Sequence, residues 1–336
     1  MRTVIGIGAV VMACAFSSCV KEELPVPKQT RGGNSMQGEG EWFECVANVG
    51  VDYANQLWFD LGTQSVVAQN SKMDWDLAFQ CAPDGWQVRL NYSRLMRAHR
   101  TGQAEITEPT DTTGYGNTWK IDLPNGRPDS MAIGDWRSEH PVFVLDMGYN
   151  VIGLPMGLKK VQVTDVSAAS FSFRTAKLNG SNVQEYTIQK DPARAYVHFN
   201  FTSGSAVNIA PPLGSYDMVF TQYTEQFYAP DPYLSYIVTG TVNGYSGARV
   251  AQLSGDFASI TLADTVANPF STDEDIIGYD WKDYSFDTGT YEVYSNQIYI
   301  VQDTDGNFYK LHFIDYYNDI GQRGSPKFEL VQLIPE

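Results

Sequence analysis

Two of the four histidines in this 336-residue chain, His99 and His140, sit where ligation is plausible chemistry. In Leu95-Met96-Arg97-Ala98-His99-Arg100 the imidazole of His99 lies among Arg94, Arg97 and Arg100, a basic cluster in a chain of formal charge −16. Met131 and His140 follow in the same stretch, with Trp86, Trp119 and Trp136 around them. Imidazole and thioether groups ligate soft or borderline metal centres. Tryptophans supply an apolar slot, and arginine holds a carboxylate through paired hydrogen bonds. His99 with Met131 or His140 is the candidate ligand set, and the three arginines are candidate partners for acidic groups of a ligand. A plainer reading has His99 solvated in a turn and Met131 filling a core gap. His198 and His312 alternate with apolar neighbours and read as outward strand residues.

Other chemistry finds little support. No nucleophile elbow, HExxH helix or phosphate loop is present beyond residue 18. Carboxylate pairs are too common in so acidic a chain to mark a glycosidase. The chain is not expected to be an enzyme. A net charge of −16 repels nucleic-acid phosphates, so no such partner is expected. Asp303-Thr304-Asp305-Gly306 has its glycine too early for a calcium loop, and Asp273-Glu274-Asp275 reads as a solvated acidic turn.

The elements that carry these residues are strands. Aromatic content is high, charged residues are sparse, and helical periodicity is rare; Ser93–Arg100 is the one short turn or helix expected. The clearest pair is Tyr216–Gly240, two strands around an aromatic loop containing Phe227, Tyr228 and Tyr233 and broken by Pro230 and Pro232. Tyr216, Met218 and Phe220 alternate with Asp217 and Thr221. Asp305-Gly306-Asn307 marks a hairpin before the last strands.

The chain also repeats loosely. Leu57–Gly62, Ser65–Val67 and Asp74–Phe79 match Val197–Thr202, Ser205–Val207 and Tyr216–Phe220, with Asp76 corresponding to Asp217. Each half then runs through a long variable insert to a terminal meander. The expected fold class is all-β, antiparallel sheets packed face to face, in two tandem units over residues 41–190 and 191–336. The second insert, Thr221–Val293, has no histidine or methionine, and its tyrosines with Trp281 could form a stacking surface.

Residues 1–18 read as a secretion signal, with Arg2 before the apolar run Val4–Phe16. Ala15-Phe16-Ser17-Ser18-Cys19 resembles a lipobox, so Cys19 is the expected lipidation site and first mature residue. Residues 19–40 then form a flexible tether, and Lys21-Glu22-Glu23 resembles a surface-export signal. Of four cysteines, Cys45 and Cys81 remain for an oxidising compartment, where they could form a disulfide or stay as buried thiols.

Trp75-Asp76-Leu77-Ala78-Phe79, Tyr236-Ile237-Val238-Thr239-Gly240 and Phe308–Leu330 together resemble the HmuY family. The resemblance implies an all-β lipoprotein on the outer membrane surface that captures haem and delivers it to a TonB-dependent transporter. Axial histidines or methionines in that family lie on the variable inserts, which makes His99, Met131 and His140 the haem-ligand candidates and Arg94, Arg97 and Arg100 the propionate-pairing candidates. The alternative is an adhesion lipoprotein of the same fold that recognises a glycan, peptide or protein.

Overall fold

The computed structural model describes residues 30–31, 38–229 and 233–335. Cys19, the signal peptide, most of the tether, and Pro230 and Pro232 lie outside these. The described chain is all-β, and its strands pair antiparallel throughout.

Four sheets stack as layers. One outer sheet orders Glu39–Val46, Arg323–Leu333, Phe308–Tyr317, Gln297–Gln302 and Arg249–Ser254, with Thr30–Arg31 on its rim. The other orders Gln184–Gln189, Ser170–Ala176, Leu158–Val166, Phe143–Asp146 and Arg97–Arg100. Between them lie two four-stranded sheets. In one, the hairpin Asn55–Asp60/Ser65–Ser71 pairs with Met218–Phe227, which in turn pairs with Leu234–Val242. In the other, the hairpin Tyr196–Asn200/Ser205–Val207 pairs with Leu77–Gln80 and Val88–Leu90. Each hairpin therefore completes a sheet whose other strands come from the opposite half of the chain.

Period-2 alternation explains the layering. Leu57 and Phe59 join Met218 and Phe220 in the core under the first outer sheet. Leu77 and Phe79 join Val197 and Phe199 in the core under the second. The intervening residues, Trp58, Ala78, Tyr196 and Val219, meet in a third core between the two inner sheets. Inner strands are thus buried on both faces. This corrects the outward reading of His198 and the face assigned to Tyr216. His198 is 1% exposed, set edge-on to Trp75 at 4.8 Å, and burial pulls its pKa down to about 3. Thr221, opposite the apolar face of its strand, is fully buried and accepts from Gln56 Nε2 at 2.9 Å. Tyr216 joins Trp58 and Val219 in the central core rather than Met218 and Phe220.

The outer sheets are themselves partly covered. Residues 256–271 lie on the first, where His312 stacks on Phe257 at 4.0 Å and bonds Ser295 O and Glu329, so it too is buried rather than outward. Lys310 Nζ donates to Phe257 O and Ile260 O there, at 2.8 Å each. Residues 101–113 lie on the second outer sheet, where Lys160 Nζ donates to Ile106 O and Glu108 O, at 2.5 Å each.

The two cysteines are free and buried in different cores, Cys45 with Phe59 and Phe328, Cys81 with Phe79 and Val88. Both inner sheets and the core between them separate those two cores, so the disulfide does not form. Burial pushes the Cys45 thiol up to about 12.

Candidate functional site

The stretch around His99 is a single tight turn, Tyr92–Arg94, followed by the strand Arg97–Arg100. Asn91 caps the turn through Ser93 N at 3.0 Å, and Leu95 at φ 59° ends it. The strand is the edge of the second outer sheet. Met96 and Ala98 point into its core, which leaves Arg97 and His99 on the opposite face.

A segment of the first insert closes over that face. Ala98 and Lys120 exchange backbone hydrogen bonds at 2.8 and 2.9 Å. The turn Gly116–Thr118 just before it delivers Tyr115, Thr118 and Trp119 to the imidazole. The His99 ring stacks on Tyr115 at 3.6 Å and meets Trp119 edge-on at 6.0 Å.

Thr118 Oγ1 lies 2.8 Å from His99 Nδ1 and donates its hydrogen to Tyr115 O at 2.5 Å. A hydroxyl has one hydrogen to give. With it spent, Thr118 accepts from Nδ1–H, and Nε2 carries the bare lone pair. Burial lowers the His99 pKa, which favours that neutral form. An imidazole held through one nitrogen with the other left basic is what an axial ligand requires.

The arginines divide. Arg94 is 1% exposed and paired with buried Asp76, with Met96 Sδ at 3.2 Å; it belongs to the core and cannot reach a ligand. Arg97 pairs with Asp146 at 2.5 Å and lies over Trp119 at 5.5 Å. Arg100 pairs with Glu139 at 2.6 Å on the surface. Exposed Lys120 makes no ion pair among the described residues, and its backbone is bridged to Ala98. Sequence spacing hid the approach of Tyr115, Thr118 and Trp119 to His99, because it depends on that bridge.

The other ligand candidates stand apart. Met131 is buried at a small cavity with Tyr92, Asp122, Tyr223 and Glu274. His140, at φ 46°, sets Nδ1 3.3 Å from Val163 O and its ring 5.6 Å from Trp136. Neither shares a contact with His99, so the expected pairing is not assembled. The acidic run is also not a solvated turn. Arg89 Nη1 donates to both Glu274 oxygens at 2.9 and 3.1 Å, Arg127 pairs with Asp273 at 2.7 Å, and burial raises the Asp275 pKa. Trp281 is buried, stacked on Phe313 at 3.8 Å, and takes no part in a surface.

A family profile described as HmuY protein matches residues 52–330. No curated protein matches the chain. Among solved structures, an HmuY-like haem-binding protein of Bacteroides vulgatus is similar at 12% identity and TM-score 0.23, over 88% of this chain and 93% of that one. An apo HmuY analogue of Tannerella forsythia is similar at 11% identity and TM-score 0.24, over 89% and 99%. A Bacteroides fragilis chain described as a lipoprotein is similar at 12% identity and TM-score 0.24, over 52% and 95%.

Proposed function

The chain belongs to the HmuY family, and from that membership we propose that it is a surface lipoprotein that binds haem or a related tetrapyrrole through His99. The observation that carries the reading is the imidazole itself, neutral, stacked on Tyr115 and held at Nδ1 so that Nε2 is free to ligate. Tyr115 and Trp119 supply the apolar wall. After exchange of their carboxylate partners, Arg97 and Arg100 supply cations for propionates. Lipid on Cys19 would anchor the protein to the outer membrane, where it would hand its cargo to a TonB-dependent transporter. It performs no catalysis in this reading.

Haemin titration of the chain lacking residues 1–19 tests the proposal. A Soret shift that saturates at one equivalent, and that is lost in His99→Ala while Met131→Ala and His140→Ala keep it, is the expected result. No shift in either redox state, or a His99→Ala titration like the wild type, overturns it. The exposed tyrosines of the second insert favour the alternative, binding of a glycan, peptide or protein: Tyr228, Tyr233 and Tyr236 are 60%, 64% and 58% exposed at one hairpin end.

A further inference from the structure

Far from His99 in sequence, a groove of about 320 Å³ opens between the hairpin Lys282–Ser285/Thr290–Val293 and the turn before Arg323–Leu333. Tyr284, Tyr291 and Tyr317 line it, with Gln322 and Arg323 on one side. The aromatic rings brace one another: Tyr284 and Tyr291 lie 5.1 Å apart, and Tyr317 Oη accepts from Tyr291 N at 2.7 Å. Phe286 stands at the hairpin tip 91% exposed, 5.2 Å from Tyr284.

The polar groups are as specific as the rings. Arg323 is exposed and makes no ion pair among the described residues; its guanidinium lies over Tyr53 at 5.4 Å. In a chain of charge −16, Arg89, Arg94, Arg97, Arg100, Arg127, Arg137 and Arg194 all hold carboxylates, whereas Arg323, like exposed Arg249 over Phe270 at 5.9 Å, holds none among the described residues and keeps its guanidinium for an anion. Gln322 Oε1 accepts from Asn318 Nδ2 at 3.1 Å, which fixes the amide and leaves its NH₂ to donate elsewhere. Gly289 and Gly321, both at positive φ, keep the two rims free of side chains.

From this arrangement we propose that the groove binds a pyranose ring bearing a carboxylate, a uronic or sialic acid residue of a glycan. Tyrosine faces pack against the C–H face of a sugar ring, an amide NH₂ meets its hydroxyls, and a free guanidinium takes the carboxylate through two hydrogen bonds. Carboxylate recognition sets the selectivity, because the surrounding negative charge disfavours any anion that does not reach Arg323. The site is independent of His99.

Calorimetric titration of the full processed chain with glucuronic acid and N-acetylneuraminic acid, against glucose, is the test. Acidic sugar binding at least tenfold tighter than glucose, weakening with salt, is the expected result. Arg323→Gln should abolish that preference without changing the melting temperature. Tyr284→Ala should weaken every sugar, and His99→Ala should change none. Equal binding of charged and neutral sugars, no binding of either, or a preference that survives Arg323→Gln overturns the proposal. Haemin or a short peptide carboxylate competing at this groove in place of the sugars also overturns it.

Discussion

Asp76 and Asp217 show how one residue type takes two fates. Each accepts a backbone N–H from the hairpin that completes its sheet: Phe201 N to Asp76 at 2.6 Å, Leu61 N to Asp217 at 2.9 Å. Asp76 has Arg94 beside it, whereas Asp217 has Asp60 and Asp303. Arg94→Met would leave a buried charge uncompensated and should cost about 3–5 kcal/mol in denaturant unfolding. Burial, then the neighbouring carboxylates, raises the Asp217 pKa from 3.8 to about 7. The native state therefore binds a proton there that the unfolded chain releases. Its contribution to stability is complete below about pH 4 and is lost as the pH rises through 7. Asp217→Asn should flatten that part of a stability–pH profile measured by urea unfolding. At the proposed haem site, Thr118→Val removes the acceptor that fixes His99, and haem affinity should fall about 10–100-fold with the Soret band retained. The arginine-rich setting that makes His99 a candidate ligand was legible in the sequence. The fate of Arg94 was not, because its partner Asp76 sits on a different strand and only the fold brings them together. His198 misled for a related reason: alternation reports two faces but not what covers each.

At the scale of elements, strands and hairpins were legible because alternation and turn residues are local signals. The Asp305-Gly306-Asn307 turn forms with Gly306 at φ 89° between paired strands. The segments that cover the outer sheets were not, because they lack a period and are held by single contacts from below, Lys160 and Lys310 among them. Gly180 is another such contact. It sits at φ 80°, and a Cβ there would overlap Thr107 O. Gly180→Ala should cost about 2–4 kcal/mol and loosen residues 101–113, read as faster amide exchange at Ile106 and Glu108.

Across the whole molecule, the two outer sheets share a strand order and so do the two inner ones, each inner sheet built from a hairpin of one half and a strand pair of the other. Residues on both sides of position 190 therefore fill every main core. We propose the division at 190/191 as a boundary between sequence units rather than between folding units. Residues 41–190 alone should give the circular dichroism and amide dispersion of an unfolded chain, as should 191–336, and mixing the two should restore a native spectrum. A half that folds by itself would refute this.

The exchanged hairpins also set when the protein can fold. The wall that Leu77 and Phe79 lean on arrives only with Val197 and Phe199, and the strand that closes over Leu57 and Phe59 comes later still, at Met218. A growing chain has nothing complete to lock into until both latecomers have emerged. The first half of the chain therefore stays pliable until most of the second has been made.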